Sequence, residues 1–310
     1  MLYYIVRRLY QAVFVIVGVT LVVFLVLHLL GDPVALFLPP GASEEAIRGF
    51  RESLGLDDPL YLQYVRFLLG LLRGDIGDSY YYNESALAVV RERMPATLEL
   101  TAASLVVTLF LGLPAGIAAA IRYRSGADTA IRALAMLAQC TPVFWLSLLL
   151  VLLFAVKMGV LPTSGRGGLV HLIMPALALG LYPAAATARL LRSSMIEALN
   201  QDYVRAARAR GIGRGRLVLK HALKNAASAV VTMLGMHIAN LLGGAFIVES
   251  IFAWPGVGRL AVQAINNRDF MVVEAVAFVV ALGYIAINLL VDLVYALINP
   301  KVRIGKGGLG

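Results

Sequence analysis

The sequence predicts an all-α integral membrane protein with six transmembrane helices and both termini in the cytoplasm. Composition, the length of the uncharged segments and the distribution of Lys and Arg all predict this fold class. Hydrophobic residues make up 60% of the 310 residues and charged residues only 15%, with a mean hydropathy of +0.82. A soluble domain carries about 25% charged residues. The composition therefore excludes a soluble enzyme with a large core.

Six apolar segments are long enough to cross about 30 Å of hydrocarbon, which takes about 20 helical residues. The predicted spans are Leu9–Gly31, Leu100–Ile121, Ala133–Val156, Gly167–Ala188, Asn225–Val248 and Met271–Ile298. The first is too long for the core of a signal peptide and no small-residue cleavage site follows it, so we expect it to be retained. Glu274 and Asp292 lie near the ends of the sixth, whose limits are the least defined.

Lys and Arg set the predicted orientation. With the N-terminus inside, most of the 27 Lys and Arg residues fall on the cytoplasmic side, as the positive-inside rule requires. The segment 189–224 is the most basic of these. This bias explains the net charge of +9 without nucleic acid as a partner. The single cysteine, Cys140, lies in an apolar segment, so no disulfide framework is predicted.

The outer segment 32–95 is too long for a simple turn. Pro39-Pro40-Gly41 begins it, Ser43 is placed to cap a helix that starts at Glu44, and Asp57-Asp58-Pro59 predicts a second helix start. That second helix puts several apolar residues on one face, namely Leu60, Tyr64, Phe67, Leu68 and Leu71. A loop follows at 74–78. We expect a small helical lid on the outer face, or a docking surface.

Three prolines interrupt the third and fourth spans: Pro142, Pro175 and Pro183. Two interpretations stay open. The prolines either break the helices around a pathway, where neighbours or water satisfy the freed carbonyls, or they produce ordinary kinks.

The segment 202–225 is a basic stretch with many small residues. It predicts a helix that breaks at Gly211-Ile212-Gly213 and restarts as a second basic helix. Lipid, RNA and protein are all possible partners of such a segment. Its alanines favour protein, because they permit close approach of another backbone. Tyr203, Ala207 and Arg210 share one face, while Arg205 and Arg208 project from another. The candidate docking residues are Asp202, Tyr203, Arg205, Ala206, Ala207, Arg208, Ala209, Arg210 and Gly211.

A second candidate site follows the fifth span on the outer side. Trp254 suits the membrane interface, and Pro-Gly-x-Gly requires a tightly turning path. The candidate outer-gate residues are Glu249, Trp254, Pro255, Gly256, Gly258 and Arg259. Polar groups within spans are costly and often functional, which makes His237, Asn240, Asn288 and Asp292 pathway candidates. Hydrogen bonding between helices is the alternative role for them.

Two other function classes lack their signatures. There is no Gly-x-x-x-x-Gly-Lys-Ser/Thr, no Gly-x-Ser-x-Gly and no His-Glu-x-x-His, which argues against an intramembrane enzyme. An ion-coupled secondary transporter predicts midplane acidic residues and inverted repeats, and neither is evident. The four histidines are scattered and the cysteine is alone, so no metal site is predicted. We assign no catalytic, cofactor-binding or metal-binding residues.

The 202–225 segment resembles the cytoplasmic loop of the inner-membrane permeases of ABC-type dipeptide, oligopeptide, glutathione and nickel importers. The family pattern is matched by Asp202, Tyr203, Val204, Arg205, Ala207, Ala209, Arg210 and Gly211, and a downstream element by Lys220, His221, Leu223 and Asn225. Further matches occur in order along the chain, at 31–33, 55–60, 74–79, 95–98, 249–259, 268–270 and 291–303. Ala206 departs from the usual Thr, and Met271 from a common Pro.

This resemblance implies the fold and the domain organisation of a type I ABC importer permease. The expected parts are a transmembrane helix at 1–31, an extracytoplasmic helical insertion at 32–95, a transmembrane core at 96–299 with a coupling helix at 202–213, and a cytoplasmic tail at 300–310. The expected location is the prokaryotic plasma membrane.

The resemblance also implies partners. They are a second homologous permease, two cytoplasmic ATPases that carry ATP and Mg²⁺, and an extracytoplasmic binding protein, with membrane lipid around the spans. No cofactor is expected on this chain. Peptide is the first choice of cargo and glutathione the second. Nickel is the least favoured, because the spans offer few imidazole or sulfur ligands. Glu249 stands at the outer mouth of the fifth span, where a carboxylate is placed to pair with Arg259 or Arg268, or with the amine of an entering peptide.

Overall fold

A computed structural model of the chain describes residues 2–29, 43–55 and 57–298. The predictions for Pro39-Pro40-Gly41 and for the tail at 300–310 concern residues outside these ranges. In chain order the helices are α1 Leu2–Leu29, α2 Glu44–Leu54, α3 Leu60–Arg73, α4 Ala86–Ile121, α5 Gly126–Cys140, α6 Val143–Leu150, α7 Leu169–Leu199, α8 Asp202–Ala209, α9 Arg214–Arg216, α10 Leu223–Ile251, α11 Val257–Asn266 and α12 Phe270–Ile298. π-Helical turns extend α6 through Val151–Lys157 and join α9 to α10 through Leu217–Ala222.

The chain forms two compact units. The first comprises Met1–Thr97 with Pro255–Ile285, and the second comprises Leu98–Trp254 with Ala286–Gly310. The core of the first unit joins the loop after α3, the start of α4, α11 and the start of α12. Its buried members include Ile76, Val90, Leu260, Val272 and Val276.

The outer helices begin where the sequence predicts. Ser43 Oγ accepts a hydrogen bond from the Ala46 N–H at 3.3 Å, so the predicted cap of α2 is confirmed. α2 ends at Gly55 with φ 64° and α3 ends at Gly74 with φ 74°. This left-handed conformation is the usual way to end a helix at glycine.

Four helices of the described residues are long and apolar enough to cross a membrane. The candidate spans are Tyr10–Leu29, Ala86–Ile121, Leu169–Leu199 and Phe270–Val291, and a bent pair of helices at 126–157 brings the number to as many as five. Six spans are therefore not confirmed. The predicted fifth span, Asn225–Val248, lies within the continuous helix α10.

The boundaries of two predicted spans were wrong. α4 begins at Ala86, well before the expected start at Leu100, and α7 continues to Leu199, beyond the expected end at Ala188. Periodicity and hydropathy locate only the apolar part of a helix. Its polar ends continue wherever caps and packing allow.

The third predicted span is not one straight helix. α5 and the helix that starts at Val143 meet at an angle of 103°. Pro142 lacks an N–H and disfavours the helical conformation of the residue before it, and Thr141 is extended, with φ −83° and ψ 117°. Pro175 and Pro183 lie inside the continuous helix α7. The broken-helix interpretation therefore applies to Pro142 alone.

Small residues bring α4 and α7 together in the second unit. A Cβ added at Gly112 would lie 2.8 Å from the Ala184 carbonyl oxygen, and one at Gly116 would lie 2.8 Å from that of Ala188. Such contacts are typical of membrane helices, where close packing replaces the hydrophobic effect. Thr108 Oγ1 also donates to the Gly180 carbonyl at 3.2 Å. This packing fixes α7, which leads directly into the 202–225 segment.

Candidate functional site

α8 is held to its own chain by a small apolar cluster. Val204 is fully buried and Ala207 is 9% exposed, and both pack with Leu217. Leu199 and Ile212 lie against the same cluster. A helix of eight residues is not stable alone. The cluster therefore explains why this segment is helical.

The cluster changes the predicted role of Ala207. The sequence placed Ala207 on a shared face with Tyr203 and Arg210, but the structure turns Ala207 inward and leaves the other two exposed. Its small side chain permits α8 to approach the helix that follows. The exposed docking candidates are Asp202, Tyr203, Arg205, Ala206, Arg208, Ala209, Arg210 and Gly211. We call these eight residues the coupling surface.

Charge on the coupling surface is largely solvated. Arg205 lies 3.5 Å from Asp202, and their side chains are 74% and 97% exposed. An exposed pair of this kind contributes little to stability. α8 thus exposes two cationic side chains, Arg205 and Arg208, together with two alanines, Ala206 and Ala209.

Gly211 ends α8 in the left-handed conformation, with φ 76°. The Gly211 N–H donates to the Arg208 carbonyl at 3.0 Å, and the Ile212 N–H donates to that of Ala207 at 3.2 Å. A Cβ added at Gly211 would meet no atom within 4 Å. The break predicted at 211–213 is confirmed, and within the chain Gly211 is required by its conformation rather than by close packing.

A hydrogen bond connects the coupling surface to α10. Asn225 Nδ2 donates to the Tyr203 hydroxyl, with 2.6 Å between the atoms. Sequence analysis noted both residues as parts of separate motif elements and did not predict their contact. The only sequence signal for this contact was that both residues belong to motif elements of the same segment, 202–225.

Trp254 of the outer-gate candidates is fully buried among other residues of the chain. Its expected position at the membrane interface stays a prediction, because burial within the protein does not fix depth in the membrane. The Arg166 guanidinium lies over its ring at 5.9 Å. Arg166 also forms an ion pair with Glu99, at 2.8 Å between Nε and Oε2, and the neighbouring Gly165 N–H donates to the Phe252 carbonyl at 2.8 Å. Arg166, in the loop before α7, and Glu99, in α4, were not predicted from the sequence.

The turn after α10 depends on residues other than its glycines. Ala253 has φ 49°, while Gly256 is extended, with φ −100° and ψ −178°. The Val257 N–H at the start of α11 donates to Thr97 Oγ1 at 2.8 Å. Thr97 belongs to the Pro-Ala-Thr-Leu motif, so this contact gives that motif a structural role.

The remaining gate residues have defined environments in their own units. Glu249 is fully buried, and its carbonyl accepts from the Trp254 N–H at 2.8 Å. Pro255 precedes α11, Gly258 is buried within it, and Arg259 is half-buried. The pairing of Glu249 with Arg259 or Arg268 stays a prediction.

A buried carboxylate joins two further motif elements in the first unit. Asp269 is 1% exposed and accepts a short hydrogen bond from the Ser79 hydroxyl. It also accepts from the Val272 N–H at 3.4 Å, at the start of α12. Burial raises the pKa of the Tyr80 hydroxyl above its ordinary value, and the carboxylates of Asp269 and Asp78 raise it further.

The pathway candidates have different environments. His237 is buried beside the edge of the Tyr182 ring, at 6.5 Å between ring centroids, and its Nε2 has no hydrogen-bond partner among the described residues. Asn240 is exposed and Asn288 is half-buried. Asp292 lies in α12, but its side chain is outside the described part of the chain. Pathway lining and hydrogen bonding between helices both stay predictions for these four residues.

An open cavity of about 630 Å³ lies in the second unit between α5, α7 and α10. Its lining includes three arginines, Arg132, Arg189 and Arg192, with Gln139, Tyr182 and Met233. The three pathway candidates with described side chains, His237, Asn240 and Asn288, do not line it. The cavity was not predicted from the sequence. Its arginines come from two helices and lie next to predicted spans, where basic residues are already explained by the membrane orientation.

Asp128 organises the basic side of this cavity. It is 1% exposed and receives hydrogen bonds from Arg192 Nε at 2.6 Å and Arg192 Nη2 at 2.8 Å. The Arg124 N–H adds a third bond at 3.0 Å. Arg132 Nε is 3.5 Å away, and Arg189 is hydrogen-bonded to Gln139. Asp128 thus pairs with Arg192 and lies near Arg132, and because Arg189 is a third arginine in the lining, the cavity has an excess of positive charge.

No group of three or more His, Cys, Asp or Glu residues within the described ranges is arranged to hold a metal ion. The candidate sites are the coupling surface, the outer-gate residues and the basic cavity.

Family models cover nearly the whole chain. A model described as the inner membrane component of binding-protein-dependent transport systems matches residues 112–304, and one for the N-terminal part of such components matches residues 1–101. Together they contain the first span, the outer helices and the coupling surface.

Individual proteins resemble the chain over its full length. It is 37% identical to a dipeptide transport system permease protein of Alkalihalophilus pseudofirmus, over 98% of this chain and 100% of that protein. It is 40% identical to a glutathione transport system permease protein of Salmonella paratyphi A, over 98% of this chain and 99% of that protein. An inward-facing structure of the MetNI methionine ABC transporter matches with a TM-score of 0.58 and 19% identity, over 68% of this chain and 96% of that chain. At this identity the structural match shows the fold alone.

Proposed function

The chain belongs to the family of inner membrane components of binding-protein-dependent transport systems, and from this premise we propose that it forms half of the pathway of an ATP-driven importer for di- and oligopeptides. It is a permease subunit of the plasma membrane and not an enzyme. The complete transporter would add a second homologous permease, two ATPases with ATP and Mg²⁺, and an extracytoplasmic binding protein.

The coupling surface supports the proposal that movement of the ATPases is transmitted to this chain. Exposed alanines at 206 and 209 leave room for another backbone, while Val204 and Ala207 fasten α8 to its own chain. The bond from Asn225 to Tyr203 ties α8 to α10. Movement of a docked ATPase would therefore reach a long apolar helix directly. Nucleotide drives transport when it favours one access state of the permease over the other.

The basic cavity supports a cargo with free carboxylates. Three lining arginines against one buried carboxylate create a positive potential, which attracts anions and repels a divalent cation. Peptides carry a terminal carboxylate, and Ni²⁺ carries two positive charges. The cavity therefore favours peptide over nickel as the cargo of this permease.

Glutathione is the second candidate cargo. It also carries free carboxylates, and relatives 40% identical to the chain are named glutathione permeases. The positive charge of the cavity does not distinguish peptide from glutathione, because both molecules carry carboxylates that the arginines attract.

Uptake by the assembled transporter in proteoliposomes tests the proposal. We expect ATP-dependent accumulation of a labelled dipeptide in the presence of the binding protein. Arg189→Gln should reduce uptake of free peptides more than uptake of C-terminally amidated peptides, because only the free peptides offer a carboxylate. Arg122→Gln is a matched control, since Arg122 is exposed and does not line the cavity. Accumulation of Ni²⁺ without accumulation of peptide or glutathione would contradict the proposal.

A further inference from the structure

Helix α3 has an apolar face that no described part of the chain covers. Its exposed apolar side chains are Tyr61, Leu62, Val65, Leu69 and Leu72, with exposed fractions from 42% to 83%. We call these five residues the α3 stripe. They follow the helical period and lie on one side of α3. The opposite side carries Phe67 and Leu71, which pack on the core of the first unit.

The inner side of α3 is hydrogen-bonded to the first span. The Tyr64 hydroxyl donates to the Val17 carbonyl at 2.8 Å and lies 3.0 Å from Thr20 Oγ1. The Tyr64 ring also lies 5.3 Å from the ring of Phe24. Nearer the end of α1, His28 Nε2 lies 3.1 Å from Gln63 Oε1. All four contacts come from Gln63 and Tyr64, so they fix the start of α3 against α1.

These contacts place the tip of the Tyr64 side chain at the depth of the lipid. The candidate span Tyr10–Leu29 has 20 residues, and at 1.5 Å per residue Val17 lies about 18 Å from Leu29 and about 10 Å from Tyr10. The Tyr64 hydroxyl therefore reaches the middle of the hydrocarbon, whichever way α1 is oriented. Within the hydrocarbon polar groups must be paired, and Tyr64, Thr20 and the Val17 carbonyl are paired with one another.

The first span beside α3 is itself apolar at its surface. The candidate span exposes Val13, Val22 and Val26, so α3 contacts a helix that presents aliphatic side chains outward. Arg66 and Arg73 lie together on one flank of the stripe. Apolar residues on one face and basic residues beside them are typical of helices that lie in a bilayer interface.

We propose that α3 is a membrane-embedded helix, packed against the first span with the α3 stripe in contact with lipid. A lipid-facing α3 differs from both sequence predictions for this segment, a small helical lid on the outer face or a docking surface. The occupant of the stripe is the acyl region of the bilayer, and Arg66 and Arg73 extend toward the headgroups. This inference concerns the outer helices and does not depend on the identity of the cargo.

Nitroxide accessibility in the assembled transporter tests the inference. Single cysteines at Val65 and Leu69, introduced in a Cys140→Ser background, would be spin-labelled in proteoliposomes. Collision with oxygen reports lipid, and collision with a water-soluble nickel chelate reports water. We expect oxygen to exceed the chelate by several-fold at both positions. Arg48→Cys on α2 is the matched control, because Arg48 is exposed and should show the reverse ratio.

Two results would overturn the inference. Equal chelate accessibility at Val65, Leu69 and Arg48 would place the stripe in water. Low accessibility to both reagents at Val65 and Leu69 would show that another protein covers the stripe, either the second permease or the binding protein. Leu72→Cys, on the same stripe, gives a further reading if either label disturbs assembly.

Discussion

Asn225 Nδ2 donates a hydrogen bond to the hydroxyl of Tyr203 at 2.6 Å, across 22 residues of sequence. The bond joins the first turn of α8 to the first turn of α10. It supplements the apolar cluster of Val204, Ala207 and Leu217, which also holds α8 to its own chain. α8 and α10 are therefore expected to move together.

Removing either partner of this bond should weaken coupling. Tyr203→Phe deletes the hydroxyl and Asn225→Ala deletes the donor, and a bond of this kind contributes about 1 kcal/mol net. We expect each variant to lower cargo-stimulated ATP hydrolysis of the assembled transporter. The double variant should retain as much of this activity as the less active of the two single variants. Fully additive losses would show that the two residues act independently.

Gly211→Asp should disconnect transport from ATP hydrolysis. The left-handed φ of 76° at Gly211 is strained for other residues, and the added carboxylate would lie on the coupling surface. We expect the variant to insert in the membrane and to lose cargo stimulation of the ATPases. Gly215→Asp is the control, since Gly215 is exposed, has open space around it and is not left-handed. Normal uptake by Gly211→Asp would refute the docking role.

Asp128 should be important for stability as well as for the cavity. Removing one partner of a buried ion pair costs about 3–5 kcal/mol, and Asp128 and Arg192 have side-chain exposures of 1% and 19%. We expect Asp128→Asn to lower the thermal unfolding temperature of the purified chain in detergent. Arg132→Ala should have a much smaller effect, because Arg132 is half-exposed and 3.5 Å from Asp128. Equal shifts for the two variants would contradict this assignment.

The predicted orientation is open to a reporter assay. Asn83 is exposed, at the end of a turn closed by the bridge between Asp78 and Ser85, and such positions tolerate insertion. A reporter inserted there should signal from outside. Reporters within 196–215 and after Gly310 should signal from the cytoplasm. A cytoplasmic signal at Asn83 would exclude the six-span topology.

Local features of the fold could be predicted from the sequence. Ser43 caps α2, Gly211 ends α8 and Pro142 breaks a helix, because each effect depends on one residue and its near neighbours. The apolar parts of the spans could also be located, since hydropathy alone decides them. Helix ends such as Ala86 and Leu199 could not, because packing and caps determine them.

The candidate site was predicted less completely. Its motif residues were identified, but their contacts depend on how distant helices pack. The bonds from Asn225 to Tyr203, from Val257 to Thr97 and from Ser79 to Asp269 are of this kind. The inward position of Ala207 follows from Leu217, a partner that helical periodicity within α8 does not reveal.

Cysteine protection at α8 tests the central claim, that the coupling surface docks onto the ATPases. In a Cys140→Ser background, Ala206→Cys should react rapidly with a maleimide in the permease alone, because position 206 is exposed. Addition of the partner ATPases should suppress that reaction. Ala207→Cys should react slowly in both states, since Ala207 is buried in its own chain, and Ser250→Cys, exposed at the far end of α10, should react equally in both. We expect the ATPases to protect the cysteine at 206 from maleimide and to leave the reaction at 207 and 250 unchanged. Undiminished reactivity at 206 in a complex that hydrolyses ATP in response to cargo would contradict it.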